Sequence, residues 1–293
     1  MRLLSLCALQ ISPIAGDMDA TLERFEHRVR VVAQTFPGVQ LIVAPELHLA
    51  AVGGIFDEEP GHAGRAAVDV PGPLTDRLGA LARETGLWLV PGSIYERAAG
   101  GGAHNTAVVL SPEGELVATY RKCFPWQPYE ESVPGTRVET FDIPDVGRVG
   151  LAICHDGAFP ELFRALAWSG AEVVLQPTLT TTSDRDAELV LARANAIANQ
   201  LYVVSVNAPG PMALGRSQIA DPEGHVRLLA GASDEVVTDV LDLDAVTRVR
   251  RHGSFGLNRM LDQLDRLGPG LELPMYAGAG YVPRSESMAE ERR

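Results

Sequence analysis

One cysteine of this chain follows a short apolar run and precedes a helix. Residues 149–153 predict a buried strand that stops at Cys154, Gly157 then breaks the chain, and Pro160 suits the first position of a helix. A thiol on such a strand-to-helix turn can have backbone N–H groups facing a developing oxyanion, and a helix start favours the thiolate. The position is typical of a nucleophile, although most buried cysteines only pack.

Two charged residues also follow predicted strands. Glu46 comes directly after the apolar run 41–45, and Lys122 closes a strand that begins at Leu116. In open α/β sheets, sites form beyond the carboxyl ends of the strands. Most Glu and Lys side chains are ordinary surface charges. Three such residues at matching strand ends nevertheless predict that Glu46, Lys122 and Cys154 meet in one pocket.

The cysteine segment carries a family resemblance. Residues 154–161, CHDGAFPE, fit the pattern C-x-D-x-x-[FY]-P-E of amide-cleaving branches of the nitrilase superfamily of carbon–nitrogen hydrolases. That superfamily has a Glu, a Lys and a Cys in this order and in these contexts, and the resemblance covers roughly residues 3–250. True nitrilases usually have Trp-Glu after the cysteine. Here His155 and Asp156 stand there, which argues against a nitrile substrate.

The loop around the lysine is similar to that of aliphatic amidases and formamidases. It spans residues 121–130, and in those enzymes a second glutamate lies eight residues after the lysine. The resemblance implies an α+β fold, a four-layer αββα sandwich with internal pseudo-two-fold symmetry. It also implies four catalytic residues: Glu46, Lys122, Cys154 and Glu130.

The chain repeats its own pattern, which agrees with such symmetry. A helix end that feeds a strand occurs at 82–93 and again at 195–207. Each is followed by a strand and a Pro-Glu-Gly turn, at 111–114 and at 221–224. Two similar halves of alternating strands and helices predict two stacked sheets with helices outside, although Pro-Glu-Gly turns are also common by chance.

Length and composition fit a single domain of this kind. The 293 residues are 46% hydrophobic, which is enough for a substantial core, and no Pro/Gly/Ser-rich linker divides them before the end. We expect residues 1–266 to form the hydrolase domain and residues 267–293 to form an extended C-terminal arm and tail. The arm is too apolar as far as Tyr281 to be freely solvated.

Charge and cysteine usage limit the partners. The net charge is −13 and the longest basic cluster is at 248–251, so we expect no binding to nucleic acid or an acidic membrane. Three cysteines without framework spacing suit a reducing, cytoplasmic compartment. With no metal-ligand or nucleotide-binding motif, we expect neither a metal nor a cofactor. The resemblance implies a homodimer or a larger even homo-oligomer.

The predicted reaction is thiol-dependent hydrolysis of a small amide, not a peptide, to a carboxylate and ammonia through a Cys154 thioester. Glu46 would accept the proton of the Cys154 thiol and return it to the leaving nitrogen. Lys122 and the backbone N–H after the cysteine would face the oxyanion. Glu130 would orient the substrate or hold the other charged groups in register. Burial must raise the pKa of Glu46 for this role, and Lys122 opposes that shift. The side chains of Trp126, Tyr129 and His155 and the polar run 176–183 follow the same strand ends and are expected to border the pocket. Four of these residues are expected to contact the substrate: Trp126, Tyr129, His155 and Thr178.

Three alternatives remain open at this stage. An N-carbamoyl amino acid or amine hydrolase would use the same Glu-Lys-Cys site. A Cys–His hydrolase would use one of seven histidines as its base, and His48 is a candidate because it lies two residues past Glu46. A non-catalytic binding protein on the same fold is the third alternative, because fold alone does not determine function.

Overall fold

The structure, a computed structural model, describes residues 1–52 and 61–268 and the backbone of β14 (Tyr276–Ala277) and β15 (Gly280–Tyr281). The arm predicted at 267–293 lies largely outside the described residues, so it stays a prediction. In the described parts of the chain, no helix has the length and apolar character needed to cross a bilayer.

Strands and helices alternate along both halves of the chain. The first half contains β1 (Leu3–Gln10), α1 (Met18–Thr35), β2 (Leu41–Val43), α2 (His62–Ala66), α3 (Pro73–Thr85), β3 (Trp88–Val90), β4 (Ser93–Arg97), β5 (Ala103–Leu110) and β6 (Leu116–Arg121). The second half contains β7 (Thr140–Ile143), β8 (Gly147–Leu151), α4 (Pro160–Trp168), β9 (Val173–Thr178), α5 (Arg185–Asn199), β10 (Tyr202–Asn207), β11 (Gln218–Ala220), β12 (Val226–Leu229), β13 (Glu235–Asp242), α6 (Leu243–His252) and α7 (Met260–Leu267).

These strands form two mixed sheets. The first has the order β13-β1-β2-β3-β5-β4, with β6 also paired to β5, and the second has the order β12-β11-β10-β9-β8-β7. Strands β1, β2 and β3 are parallel, as are β8, β9 and β10. At least one helix connects the two strands of each parallel pair, because parallel strands need a long crossover connection. The same β-α-β-α-β unit therefore occurs once in each sheet, which confirms the predicted internal repeat.

The two Pro-Glu-Gly turns occupy equivalent places in the two halves. Each joins an antiparallel pair, β5 to β6 in one sheet and β11 to β12 in the other. In both turns the glycine has a left-handed backbone, with φ of 80° at Gly114 and 82° at Gly224. Each glycine N–H donates at 2.8 Å to the carbonyl three residues back, on Ser111 or Asp221. The shared turn geometry supports a structural repeat over a chance match.

Alternate residues of β1 show how the layers are stacked. Leu4 and Leu6 belong to the apolar core that includes residues of the second sheet, whereas Leu9 belongs to the core with α1 and α3. On the far side, Phe163 of α4 and Ala196 of α5 pack on the second sheet. Each sheet is thus covered by the other sheet on one face and by helices on the opposite face. This order confirms the predicted αββα sandwich.

Candidate active site

Contacts from both sheets hold Glu46 beyond the end of β2. Its backbone N–H donates at 3.2 Å to the carbonyl of Thr178, the last residue of β9. Gly92 lies so close to the preceding residue that a Cβ there would be 1.7 Å from the carbonyl oxygen of Pro45. Leu47 has a φ of 50°, a strained conformation that persists only where the surroundings enforce it. The fold therefore determines where the Glu46 carboxylate lies.

Lys122 follows β6 directly, and its side chain is fully buried. Its Nζ donates to Glu46 Oε1 at 2.8 Å and to Glu130 Oε2 at 2.6 Å. Asn105, on the neighbouring strand β5, donates from Nδ2 to the same two carboxylates at 2.8 and 3.0 Å. Burial opposes the charge on Lys122, but the two carboxylates outweigh it and hold the pKa of Lys122 well above its usual range. The lysine is an ammonium between two carboxylates.

Glu130 is anchored to its own loop as well as to the lysine. Its N–H donates to the Trp126 carbonyl at 2.9 Å, and its Oε2 accepts from the Trp126 N–H at 3.0 Å. Burial alone would raise the pKa of Glu130, but Lys122 and Asn105 more than offset it and lower that pKa. Glu130 is therefore a carboxylate that fixes the lysine ammonium relative to the 121–130 loop.

Cys154 opens a tight 3₁₀ turn, Cys154–Ala158, between β8 and α4. Its φ of 45° lies in the left-handed region, which is unusual for a side chain with a Cβ. Gln176 of β9 donates from Nε2 to the Cys154 carbonyl at 2.9 Å. A Cβ on Gly157 would lie 2.3 Å from that same Nε2. The predicted strand-to-helix turn is present, and contact with β9 holds its strained backbone.

The surroundings of the Cys154 thiol act on its pKa. Burial and the Glu46 carboxylate raise the pKa of Cys154 well above its ordinary value, while Lys122 lowers it less. Only 7% of Cys154 is exposed, so desolvation opposes the thiolate that a helix start alone would favour. A nucleophilic sulfur at this position must therefore lose its proton to a neighbouring group as it reacts.

Glu46 has one oxygen available for that proton. Its Oε1 accepts from Lys122 and Asn105, whereas its Oε2 is buried with no partner of standard hydrogen-bond geometry. The Cys154 thiol interacts with this carboxylate. Burial raises the pKa of Glu46, Lys122 lowers it, the Cys154 thiol lowers it slightly, and the net direction is upward. This is the direction that a general base working near neutral pH needs.

Asp156 connects the cysteine turn to the lysine loop. Its Oδ2 accepts from the Ile153 N–H at 2.8 Å and from the Tyr120 hydroxyl at 2.7 Å, and its Oδ1 accepts from the Phe124 N–H at 2.9 Å. Burial raises the pKa of Asp156 to about 6. Through these three hydrogen bonds, Asp156 fixes the position of the turn that carries Cys154 relative to the strand and loop that carry Lys122.

Sequence reasoning missed Asn105 and Tyr120, and each had a local signal. Tyr120 lies two residues before Lys122, and residues two apart in a strand share a face. Asn105 is a polar residue in β5, a strand that is buried along its whole length. A buried polar side chain needs a partner, so its presence in that strand indicates a nearby polar site.

A cavity of about 200 Å³ opens beside the sulfur. Much of its wall is apolar, and polar groups come from the threonines at 180–182 and from two carboxylates on or just before α5. Thr180 Oγ1 lies 4.0 Å from Cys154 Sγ. The apolar wall is formed mainly by Trp126, Ala158, Leu179, Ala187 and Leu191.

Two of the four predicted substrate contacts lie on this cavity. Trp126 and His155 line it. Tyr129 does not line it; its ring packs on Trp126 with centroids 4.7 Å apart, and 55% of the residue is exposed. Thr178 is also absent from the lining, because it is fully buried at the end of β9 and its hydroxyl lies 3.1 Å from Asn207 Oδ1. Its carbonyl instead fixes the Glu46 backbone, and Thr180 reaches the cavity.

His48, the histidine considered for a Cys–His hydrolase, does not lie on the cavity. It is 1% exposed and packs 5.9 Å from the Phe25 ring. Burial lowers its pKa to about 3. His155 does line the cavity, and burial followed by Lys122 lowers its pKa. The lowered pKa values leave both histidines mostly neutral near pH 7. Across residues 1–52 and 61–268, no three His, Cys, Asp or Glu side chains are grouped so as to hold a metal ion.

Most of the chain matches a known protein family. Residues 5–251 match the family model described as carbon-nitrogen hydrolase. The chain belongs to this family. The matched range agrees with the roughly 3–250 of the sequence-based resemblance, which is confirmed.

Individual relatives agree with this assignment. A formamidase from Bacillus cereus (strain B4264) is 30% identical over 196 residues, which cover 67% of this chain but only 58% of the formamidase. Saccharomyces cerevisiae Nit3, a member of branch 10 of the nitrilase superfamily, is 25% identical with a TM-score of 0.77, covering 85% of this chain and 94% of Nit3. A carbon-nitrogen hydrolase from Helicobacter pylori G27 is also 25% identical, with a TM-score of 0.79 over 91% of this chain and 98% of its own.

Proposed function

We propose that this carbon–nitrogen hydrolase cleaves a small amide, other than a peptide, to a carboxylate and ammonia through a thioester on Cys154. The observation that carries the proposal is the buried network in which Lys122 joins Glu46 to Glu130 beside the cysteine. The similarity to a formamidase supports the same class of reaction. An amide is a poor electrophile, so its cleavage needs a strong nucleophile, an oxyanion partner and an acid for the departing nitrogen.

Acylation begins with transfer of the thiol proton. Glu46 Oε2 accepts the proton as Sγ of Cys154 attacks the amide carbon, and the carbonyl oxygen becomes an oxyanion. Two of the three N–H donors of Lys122 bond the carboxylates, which leaves the third to face this oxyanion. The backbone N–H of His155, next to the nucleophile, would supply the second donor. Glu46 and Glu130 hold the ammonium, and Asn105 holds the two carboxylates, so little reorganisation is needed as charge develops.

Collapse of the tetrahedral intermediate releases the nitrogen. Glu46 returns the proton to the amide nitrogen, the C–N bond breaks, ammonia leaves, and an acyl thioester remains on Cys154. Glu46 then takes a proton from a water molecule that attacks the thioester carbon. The second intermediate collapses to a carboxylic acid product, the sulfur recovers its proton, and Glu46 is again a free carboxylate.

The size of the cavity limits the substrate. A volume of about 200 Å³ is below the 300–1,000 Å³ typical of pockets for drug-sized ligands. It suits an acyl group of a few carbon atoms, bounded by apolar side chains such as Trp126 and Leu179. The cavity therefore favours a small amide over a peptide chain.

Trapping the intermediate tests this proposal. The enzyme is mixed with short primary amides, quenched with acid, and examined by mass spectrometry while ammonia release is measured. We expect an added mass on Cys154 equal to the amide less ammonia. Cys154→Ala should bind amides without turnover, and Glu46→Gln should fail in both acylation and deacylation.

A second cysteine provides the matched control. Cys123 is a half-buried free thiol outside the cavity lining, so Cys123→Ala should keep turnover and the adduct on Cys154. Wild-type turnover by Cys154→Ala, or an adduct that forms on Cys123 in its place, would refute the mechanism.

A further inference from the structure

Two carboxylates lie at the rim of the cavity, Asp184 just before α5 and Glu188 in its first turn. Glu188 Oε2 accepts from Thr180 Oγ1 at 2.6 Å and from Arg185 Nη1 at 3.2 Å. Asp184 is exposed. Both carboxylates raise the pKa of His155, although burial and Lys122 lower it overall. Their charges therefore act inside the cavity as well as at its edge.

The cations near the cavity are already committed to partners. Arg185 is fully buried behind Glu188 and donates to Ser205 Oγ at 3.1 Å and to the Arg216 carbonyl at 2.8 Å. Lys122 is held between its two carboxylates. No Lys or Arg is among the described residues that line the cavity. Against these two cations stand four carboxylates: Glu46 and Glu130, which pair with Lys122, and Asp184 and Glu188, which line the cavity.

We propose that this cavity selects its amide by the charge of the acyl group, accepting neutral and cationic groups and rejecting anionic ones. The inference rests on the function proposed above. A carboxylate on the acyl chain would enter a region of excess negative charge and find no free cation to pair with. An ammonium at the end of the chain would instead approach Asp184 and Glu188, while the stem contacts Leu179 and the other apolar side chains.

Charge selection distinguishes between two classes of substrate that the same Glu-Lys-Cys site could hydrolyse. When ammonia leaves an N-carbamoyl amino acid, the acyl part that stays on Cys154 carries the amino-acid carboxylate, so the rim disfavours it. An N-carbamoyl amine or a simple primary amide carries no such charge. The cavity therefore favours an uncharged or cationic amide over an N-carbamoyl amino acid.

Three amides of equal chain length test the proposal. Pentanamide is neutral, 5-aminopentanamide is cationic and glutaramate is anionic at pH 7. We expect kcat/KM for the first two to exceed that for glutaramate by on the order of tenfold or more, as Coulomb interactions across several ångströms in a partly hydrated site imply. Turnover of glutaramate as efficient as that of pentanamide would overturn the proposal.

Variants of Asp184 assign the effect to the rim. Because Asp184 is exposed, Asp184→Asn should fold normally. It should reduce the ratio of kcat/KM for the neutral and cationic amides to kcat/KM for glutaramate, and Asp184→Lys should reduce that ratio further. Asp186→Asn is the matched control, since Asp186 lies in the same first turn but pairs with Arg216 and does not line the cavity. A preference that Asp186→Asn changes as much as Asp184→Asn would contradict the assignment.

Binding to Cys154→Ala distinguishes failure of this proposal from failure of the proposed function. Calorimetry with the same three amides reports charge selection without turnover. If the wild-type enzyme hydrolyses no amide but Cys154→Ala still prefers the neutral and cationic ligands, the function is wrong and the charge selection stands. Equal binding of all three, or binding of none, would overturn the charge selection itself.

Discussion

The Tyr120 hydroxyl donates a 2.7 Å hydrogen bond to Asp156 Oδ2, in the interior of the protein. Tyr120 lies on β6, two residues before Lys122, and Asp156 lies in the turn that begins with Cys154. The first group belongs to one sheet and the second to a turn that follows a strand of the other. This contact therefore joins the two sheets at the point where the ammonium and the thiol must be held together.

Removing either partner of this contact should impair both stability and turnover. A buried hydrogen bond to a carboxylate typically contributes about 1.5–3 kcal/mol. We expect Tyr120→Phe and Asp156→Asn each to lower the free energy of unfolding by about that amount and to lower kcat. A double-mutant cycle should show strong coupling, because Tyr120→Phe removes the donor of this hydrogen bond and Asp156→Asn removes the charge of its acceptor. Denaturant unfolding and ammonia release provide the two measurements.

The control for this cycle is another buried tyrosine. Tyr202 donates its hydroxyl to the Asp242 carbonyl at 3.1 Å and does not line the cavity. Tyr202→Phe should change stability modestly and leave kcat unaltered. Additive effects of Tyr120→Phe and Asp156→Asn on both measurements would show that the contact does not join the two segments.

Lys122 is the only lysine in the 293-residue sequence, which makes its charge directly measurable. Protein labelled with ¹⁵N-lysine should show a single Nζ signal in NMR spectra. Because Glu46 and Glu130 outweigh the effect of burial, the pKa of Lys122 lies well above 10.5. We expect the ammonium signal to persist in folded protein through pH 10.5. Glu130→Gln removes one carboxylate and should lower the titration midpoint.

An internal reference makes that titration unambiguous. Arg251 is exposed on α6, so Arg251→Lys adds a lysine in water without disturbing the site. The added signal should titrate before that of Lys122. If the Lys122 signal titrates together with it or earlier, the ammonium is not held by the two carboxylates as the geometry indicates.

His48 should make the protein less stable in mild acid. Neither of its ring nitrogens has a hydrogen-bond partner, and burial lowers its pKa from 6.5 to about 3. As pH falls below 6.5 the unfolded chain binds a proton at this histidine and the folded protein does not. The free energy of unfolding therefore decreases between pH 6.5 and about 3, by up to several kcal/mol.

Replacement of this histidine tests the acid effect. Denaturant unfolding at pH 7, 6, 5 and 4 gives the free energy of unfolding as a function of pH. In His48→Leu this free energy should fall less steeply with decreasing pH, by the uptake of about one proton on unfolding. His27→Gln, which replaces an exposed histidine of α1, is the control substitution. An unchanged pH dependence in His48→Leu would mean that other groups cause the acid sensitivity.

Gly157 should not tolerate a side chain. Its Cβ would lie 2.3 Å from Gln176 Nε2, the group that holds the Cys154 carbonyl. Gly157→Ala should lower the free energy of unfolding by about 1–3 kcal/mol, as overpacking does, and should lower kcat because the cysteine turn moves. Unfolding experiments and ammonia release measure the two effects.

A matched glycine gives the comparison. Gly38→Ala places a Cβ where no atom lies within 4 Å, so both measurements should stay near the wild-type values. Adding Gln176→Ala to Gly157→Ala should relieve the close contact and recover stability without recovering full kcat. Wild-type stability and kcat in Gly157→Ala would show that the turn is more adaptable than its packing indicates.

Much of this protein was predictable from local sequence. Apolar runs that end at Glu46, Lys122 and Cys154 indicate strands, and their motifs indicate the family and its αββα sandwich, both of which are confirmed. The repeated Pro-Glu-Gly turns predicted the two halves because turn geometry is set by a few neighbouring residues.

Only the tertiary structure decided which groups touch and how they are charged. Asn105 and Tyr120 became part of the site through pairing between distant segments, and Thr178 turned inward so that Thr180 reaches the cavity. The raised pKa of Cys154 is likewise a tertiary result. Burial and a carboxylate brought from another strand outweigh the local helix start, because desolvation and charge–charge distances depend on the whole packed structure.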